Sequence, residues 1–112
     1  RNYIREMYIN ELSRLGFVSQ YINNNVLSNC QSIVFKLPSK ISRNELVLFL
    51  KSREIESTLG TYSMSSNSFF YNKYKIVCSN SRHLQENTIT LPCYEGLDLN
   101  YVIDSINYFF KV

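Results

Sequence analysis

Few side chains in this sequence combine a reactive type with a usable spacing. His83 is the only histidine. A catalytic base needs a nucleophile within reach and a third group to orient it. No sequence neighbour supplies either, so His83 reads as a surface or helix-end residue. The acid pairs Glu54/Glu56 and Asp98/Asp104 match no metal-ligand or glycosidase pattern. Asp98 is accounted for as a helix cap, and the other three as solvated carboxylates. Cys30, Cys78 and Cys93 are odd in number and far apart, with no C-x-x-C pair. They read as small core or strand residues in a reduced, cytoplasmic setting. Glycines at 16, 60 and 96 alone cannot build a phosphate loop. One ligand-loop candidate remains, within the Gly60 to Ser68 stretch Gly-Thr-Tyr-Ser-Met-Ser-Ser-Asn-Ser. It is small, polar and aperiodic, the kind of segment a rigid scaffold holds out for contact.

The 112 residues are enough for one domain, and 45% hydrophobic residues with 9 Tyr and 7 Phe are ample for a core. A net charge of +3, with no basic cluster interleaved with exposed aromatics, gives no support to nucleic-acid binding. No apolar run approaches membrane-spanning length, so no membrane partner is expected.

The elements that must position the loop follow from periodicity. Arg1 to Leu15 reads as a helix with Ile4, Met7, Tyr8, Leu12 and Leu15 on one face, closed by Gly16. The pattern is already running at Arg1 with no cap residue. The chain is therefore expected to be the C-terminal part of a larger protein. Phe17 to Ile22 has strand character, Asn23 to Asn25 signals a turn, and Gln31 to Leu37 is the clearest strand, ended by Pro38. These two strands are expected to pair antiparallel.

Ser42-Arg-Asn-Glu45 is a capping box, and Ile41 with Leu46 forms its staple. The helix that follows turns Leu46, Val47, Phe49 and Leu50 to the core. Ile55 to Leu59 is a candidate strand, completing a strand–helix–strand unit. Phe69 to Tyr74 suggests a short helix or turn, and Ser79 to Asn87 a short helix supported only by Leu84. Ile89, Leu91 and Cys93 alternate as a half-buried strand that Pro92 should stop or confine to a sheet edge. Gly96 makes the turn. Asp98 caps a last helix, with Leu97 and Val102 as staple and Leu99, Val102, Ile103, Ile106, Phe109 and Phe110 on one face. The sum is an α+β domain, residues 1–112, with a small, mostly antiparallel sheet of three or four strands and helices packed on one face.

Four stretches in order resemble the C-terminal small domain of the DegT/DnrJ/StrS sugar aminotransferases, which are fold-type I pyridoxal-phosphate enzymes. Arg1 to Leu12 is similar to the family's inter-domain linker helix, "R…A..Y...L". On this resemblance residues 1–15 are the linker. Ser42 to Leu46, continuing through Ser57, is similar to "R.eL...L...GI.T". Leu59 to Met64 with Phe69 to Tyr71 is similar to the loop ending in "H.QP.Y". Leu91 to Leu97 with the last helix is similar to "LP.YPGL…..V...I..F".

The resemblance implies amino transfer from an amino acid, usually glutamate, to a keto sugar on a nucleotide carrier. The cofactor is pyridoxal phosphate, held by a large domain outside this chain together with the catalytic lysine. It also implies a homodimer formed mainly through that domain. The small domain supplies one wall of the substrate cleft. Thr61, Tyr62, Ser65 and Asn67 are then the substrate-side candidates, with an ordinary surface loop as the competing reading. Several positions depart from the family pattern. Ser65 stands for the loop histidine, Asn67 and Ser68 for Gln-Pro, Glu54 for the glycine before Ile55, and Glu95 for the proline before Gly96. Either the substrate differs from the usual nucleotide sugar, or the domain is a degenerate, non-catalytic relative that serves binding or assembly.

Overall fold

The structure is a computed structural model that describes residues 2–22, 32–61, 72–73 and 79–111. Helix α1 spans Asn2–Leu12 and tightens into a 3-10 turn, Ser13–Leu15. Gly16 follows with φ 95°, donating its N–H to the Ser13 carbonyl, while Phe17 N–H reaches Leu12 O. These two bonds are the pair that closes a helix through a left-handed residue, and Leu12 and Phe17 make its apolar contact. Both are buried.

The sheet contains β1 (Val18–Ser19), β2 (Ile33–Lys36), β3 (Thr58–Leu59) and β4 (Thr88–Leu91) in the order β1-β2-β4-β3, with every neighbouring pair antiparallel. Antiparallel pairing of β1 with β2 is as expected. Expected strands are shorter than their patterns, and the clearest, Gln31 to Leu37, is strand over Ile33–Lys36. Phe17 to Ile22 pairs over two residues only. Ile55 to Leu59 is a strand only at its end, because Ile55 N–H is taken by Leu50 O in closing the preceding helix. The expected strand–helix–strand unit is present but split: β4 lies between its two strands. β4 is therefore central, and Pro92 stops it after Leu91 and does not mark an edge.

Ile33, Phe35, Ile89 and Leu91 point into one core with Tyr8 and Leu12 of α1, Leu46 and Leu50 of α2 (Arg43–Ser52), and Val102, Ile103 and Ile106 of α4 (Leu99–Lys111). Phe35 lies edge-on to Tyr8 at 6.2 Å and to Phe17 at 5.9 Å. α2 and α4 begin as their sequences require. Glu45 N–H donates to Ser42 Oγ at 3.3 Å, and Tyr101 N–H to Asp98 Oδ1 at 3.1 Å. Gly96 takes φ 85° in the turn before Asp98.

α3 (Ser79–Asn87) buries none of its side chains, and Leu84 is exposed, as a helix with one apolar residue must be. It is fixed at its C-terminus. Arg43 Nη1 donates to the carbonyls of Gln85 at 2.7 Å and Thr88 at 3.0 Å, and Thr88 Oγ1 donates to Leu84 O. The expected turn at Asn23 to Asn25, Cys30, Cys78 and nearly all of Phe69 to Tyr74 lie outside the described residues.

Candidate functional site

The link from α2 to β3 forms the centre of the candidate site. Glu54 N–H donates to Lys51 O at 3.0 Å and Ile55 N–H to Leu50 O at 2.9 Å. This repeats the closure at Gly16, with Leu50 and Ile55 as the buried apolar pair. The left-handed residue is here a glutamate: Glu54 has φ 65°, the only positive φ of a non-glycine among the described residues. The position at which the sequence departs from a family glycine is thus one whose backbone favours glycine.

Beyond Glu54 the chain runs out along a groove of about 870 Å³. One wall is α2, through Val47, Leu48 and Lys51. The floor is the segment from Glu54 to Thr58. The far wall is the end of β4 and the following turn, through Thr90, Pro92 and Tyr94. Leu48 and Tyr94 are 65% and 56% exposed. Ser57 Oγ is buried and has no hydrogen-bond partner. Such an atom incurs a desolvation cost unless something outside the chain satisfies it.

Two anchors hold the far wall and the floor. Tyr8 is fully buried and donates its hydroxyl to Pro92 O at 2.8 Å, tying α1 to the turn. Burial, with Cys93 and Tyr94 adding to it, pushes the Tyr8 phenol well above the ordinary tyrosine range. Arg53, just before Glu54, rests its guanidinium against Phe49 and Tyr108, 5.1 and 4.8 Å from the ring centroids. It donates to the buried Ser105 Oγ at 3.4 Å, and its carbonyl accepts from Tyr101 at 3.0 Å. The hinge of the groove is therefore held by the last helix.

Of the expected site residues, Thr61 is described and exposed, directly after β3. Tyr62, Ser65 and Asn67 lie outside the described residues. Gly60 N–H bonds Thr88 O, and a side chain at Gly60 would meet Thr88 Oγ1 at 2.5 Å and Val34 Cγ1 at 2.6 Å. The loop thus leaves the sheet from a point that only glycine fits. His83 is exposed on α3 with Asn87 Nδ2 3.2 Å from its Nδ1, in agreement with a surface role. Cys93 is a free, half-buried thiol. Among the described residues no group of His, Cys, Asp or Glu could hold a metal, and no helix is long and apolar enough to cross a membrane.

The groove was not foreseen from sequence. Its residues come from 47–58 and 90–94, brought together only by the pairing of β3 with β4. The local signal was Glu54 alone, standing where the family pattern has a glycine before Ile55.

No family model matches the sequence, and no curated protein does. Solved structures do. The aminotransferase TlmJ from Streptoalloteichus hindustanus superposes with a TM-score of 0.85 at 17% identity, over 98% of this chain and 31% of its own. A DegT DnrJ EryC1 StrS aminotransferase from Brucella abortus gives 0.78 at 16% identity, over 96% and 30%. DesI, solved in the presence of its TDP-sugar product, gives 0.76 at 15% identity, over 96% and 29%. The chain spans about 30% of the length of these structures. Its fold is that of the C-terminal region of sugar aminotransferases of this type, as the sequence resemblance implied.

Proposed function

We propose that the chain is the substrate-side domain of a pyridoxal-phosphate-dependent aminotransferase, acting on a keto nucleotide sugar with an amino-acid donor. The observation that carries the reading is the agreement of the fold with the sequence resemblance. The first, second and fourth resembling stretches fall on parts that hold this fold together, and the fold is that of sugar aminotransferases across almost the whole chain. Tyr8 and Leu12 of the first stretch are fully buried, and Tyr8 bonds the Pro92 carbonyl of the fourth. Glu54, which stands for the glycine in the second, has φ 65°, a backbone conformation that favours glycine.

The lysines among the described residues, Lys36, Lys40, Lys51, Lys73 and Lys111, are all exposed, and none is enclosed as a Schiff-base lysine would be. In this reading pyridoxal phosphate belongs to a larger protein of which residues 1–112 form the C-terminal domain, and residues 1–15 link the two parts. The same reading includes a homodimer formed mainly outside this domain and a cytoplasmic location. What the chain itself contributes is a wall: the loop beginning at Thr61, with Tyr62, Ser65 and Asn67 on it, and the groove beside β3. The test is spectroscopic. The full-length protein is expected to be yellow with bound cofactor, bleached by borohydride, and to aminate a keto nucleotide sugar. A colourless protein that takes up no cofactor refutes the reading. The departures at Ser65 and Asn67 support a second reading, a degenerate relative. Cofactor uptake without turnover of any keto nucleotide sugar would favour it.

A further inference from the structure

We propose that Glu54 is held in a left-handed backbone for the sake of its carboxylate, which binds a sugar ring bearing an ammonium and hydroxyl groups in the groove between α2 and the 54–58 segment. The helix closure at Glu54 uses backbone groups only, so it asks nothing of the side chain and glycine would serve it with less strain. An unfavourable conformation kept beside a cleft is a pointer to function. Among the described residues no ion pair or side-chain hydrogen bond engages the Glu54 carboxylate.

The groove supplies the remaining chemistry. Ser57 Oγ, buried and unpartnered on the floor, is a donor and acceptor for a ligand hydroxyl. Thr58 adds a hydroxyl, Thr90 a hydroxyl whose proton is already given to Leu59 O and which can only accept, and the exposed Tyr94 ring offers an apolar face to ring C–H groups. The charged groups facing the groove are Lys51, Glu54 and Glu56, which sum to a negative site. That balance favours an ammonium and disfavours phosphate. The inference rests on the proposed function only for the ligand class, since amination of a keto sugar yields an amino sugar.

The experiment titrates the full-length protein with methyl glucosaminide, methyl glucoside and uridine diphosphate. Binding is read from amide shifts of residues 54–58. The amino sugar is expected to bind, the neutral glycoside about tenfold more weakly, and the diphosphate not to displace it, as expected when a charge-assisted hydrogen bond is lost. Glu54→Gln and Glu54→Gly are each expected to weaken the amino sugar about tenfold, while Glu54→Gly raises the unfolding temperature, which removes misfolding as an explanation. Wild-type affinity in Glu54→Gly, or displacement by the diphosphate, overturns the proposal. A yellow, active protein indifferent to both substitutions refutes this inference alone. A colourless protein that binds the amino sugar through Glu54 refutes the aminotransferase reading alone.

Discussion

Glu54→Gly should make this protein more stable. The molecule contains its own control, because two helices end in the same closure, one through Gly16 at φ 95° and one through Glu54 at φ 65°. A left-handed residue with a Cβ costs roughly 1–2 kcal/mol. Glycine gives back roughly 0.5–1 kcal/mol through the greater freedom of the unfolded chain. The net gain expected for Glu54→Gly is about 0.5–1 kcal/mol, or about 3–6 °C in the unfolding midpoint of a domain this size. Glu54→Ala keeps the backbone penalty and should stay within about 0.5 kcal/mol of the parent, which separates backbone from side chain. Gly16→Ala runs the other way. It acquires the left-handed penalty, and its Cβ meets Pro38 Cβ at 3.1 Å, so a loss of about 1–2 kcal/mol is expected. Urea unfolding followed by circular dichroism measures all three, with an unchanged m-value as the sign of an unchanged fold. A neutral or destabilising Glu54→Gly, beside a clear loss in Gly16→Ala, would refute the argument.

Other substitutions probe the anchors. Gly60→Ala forces a methyl against Thr88 and Val34 and should cost about 1–3 kcal/mol by overpacking, read from the urea midpoint. Tyr8→Phe leaves the Pro92 carbonyl unbonded and should cost about 1 kcal/mol in the same assay. The Tyr8 phenol is held above its unfolded value of about 10, so the neutral form favours the fold. The folded state then keeps a proton that the unfolded chain releases. Stability is expected to fall as pH rises above about 10, and Tyr8→Phe should flatten that fall. Arg43→Ala removes one bond to Gln85 near the end of α3 and one to Thr88 at the start of β4, and should cost about 1–3 kcal/mol, with amide exchange accelerated most over 79–87.

What the sequence disclosed was local. The caps at Ser42 and Asp98, the closure at Gly16 and the apolar faces of the first, second and last helices each depend on residues within a few positions of one another, and the structure has all of them. The strand bounds were less legible, because a period-two pattern says nothing about competing demands on a backbone N–H. Ile55 illustrates this: its pattern is that of a strand, but its donor closes α2. Sheet order beyond the β1–β2 pair was not legible. β2 pairs with β4 across more than fifty residues, as Ile33 opposite Leu91 shows, and β3 lies outside both. The reach of Arg43 to the end of α3, and the burial of Ser105 against Arg53, depend on that order and were hidden with it.

The same dependence explains why the loop was found and the groove was not. A loop announces itself by composition along one stretch, whereas a groove exists only after distant stretches meet. Yet the two are continuous. The chain leaves α2 at Glu54, lays down the groove floor through Ser57, pairs as Thr58–Leu59 with β4, and passes Gly60 into Thr61. A single backbone path therefore carries both candidate surfaces, pinned at one end by the closure at Glu54 and at the other by the Gly60 bond to Thr88. Arg53 ties the first pin to the last helix, through Ser105 and Tyr101, and Arg43 ties the region of the second pin to α2 through Thr88. Pins of this kind are what the proposed substrate-side role would require, because a binding group misplaced by about 1 Å can forfeit much of its effect. The regular elements thus serve the candidate site by fixing where an eight-residue path, Glu54 to Thr61, begins and ends, with only Thr58–Leu59 of it paired in the sheet.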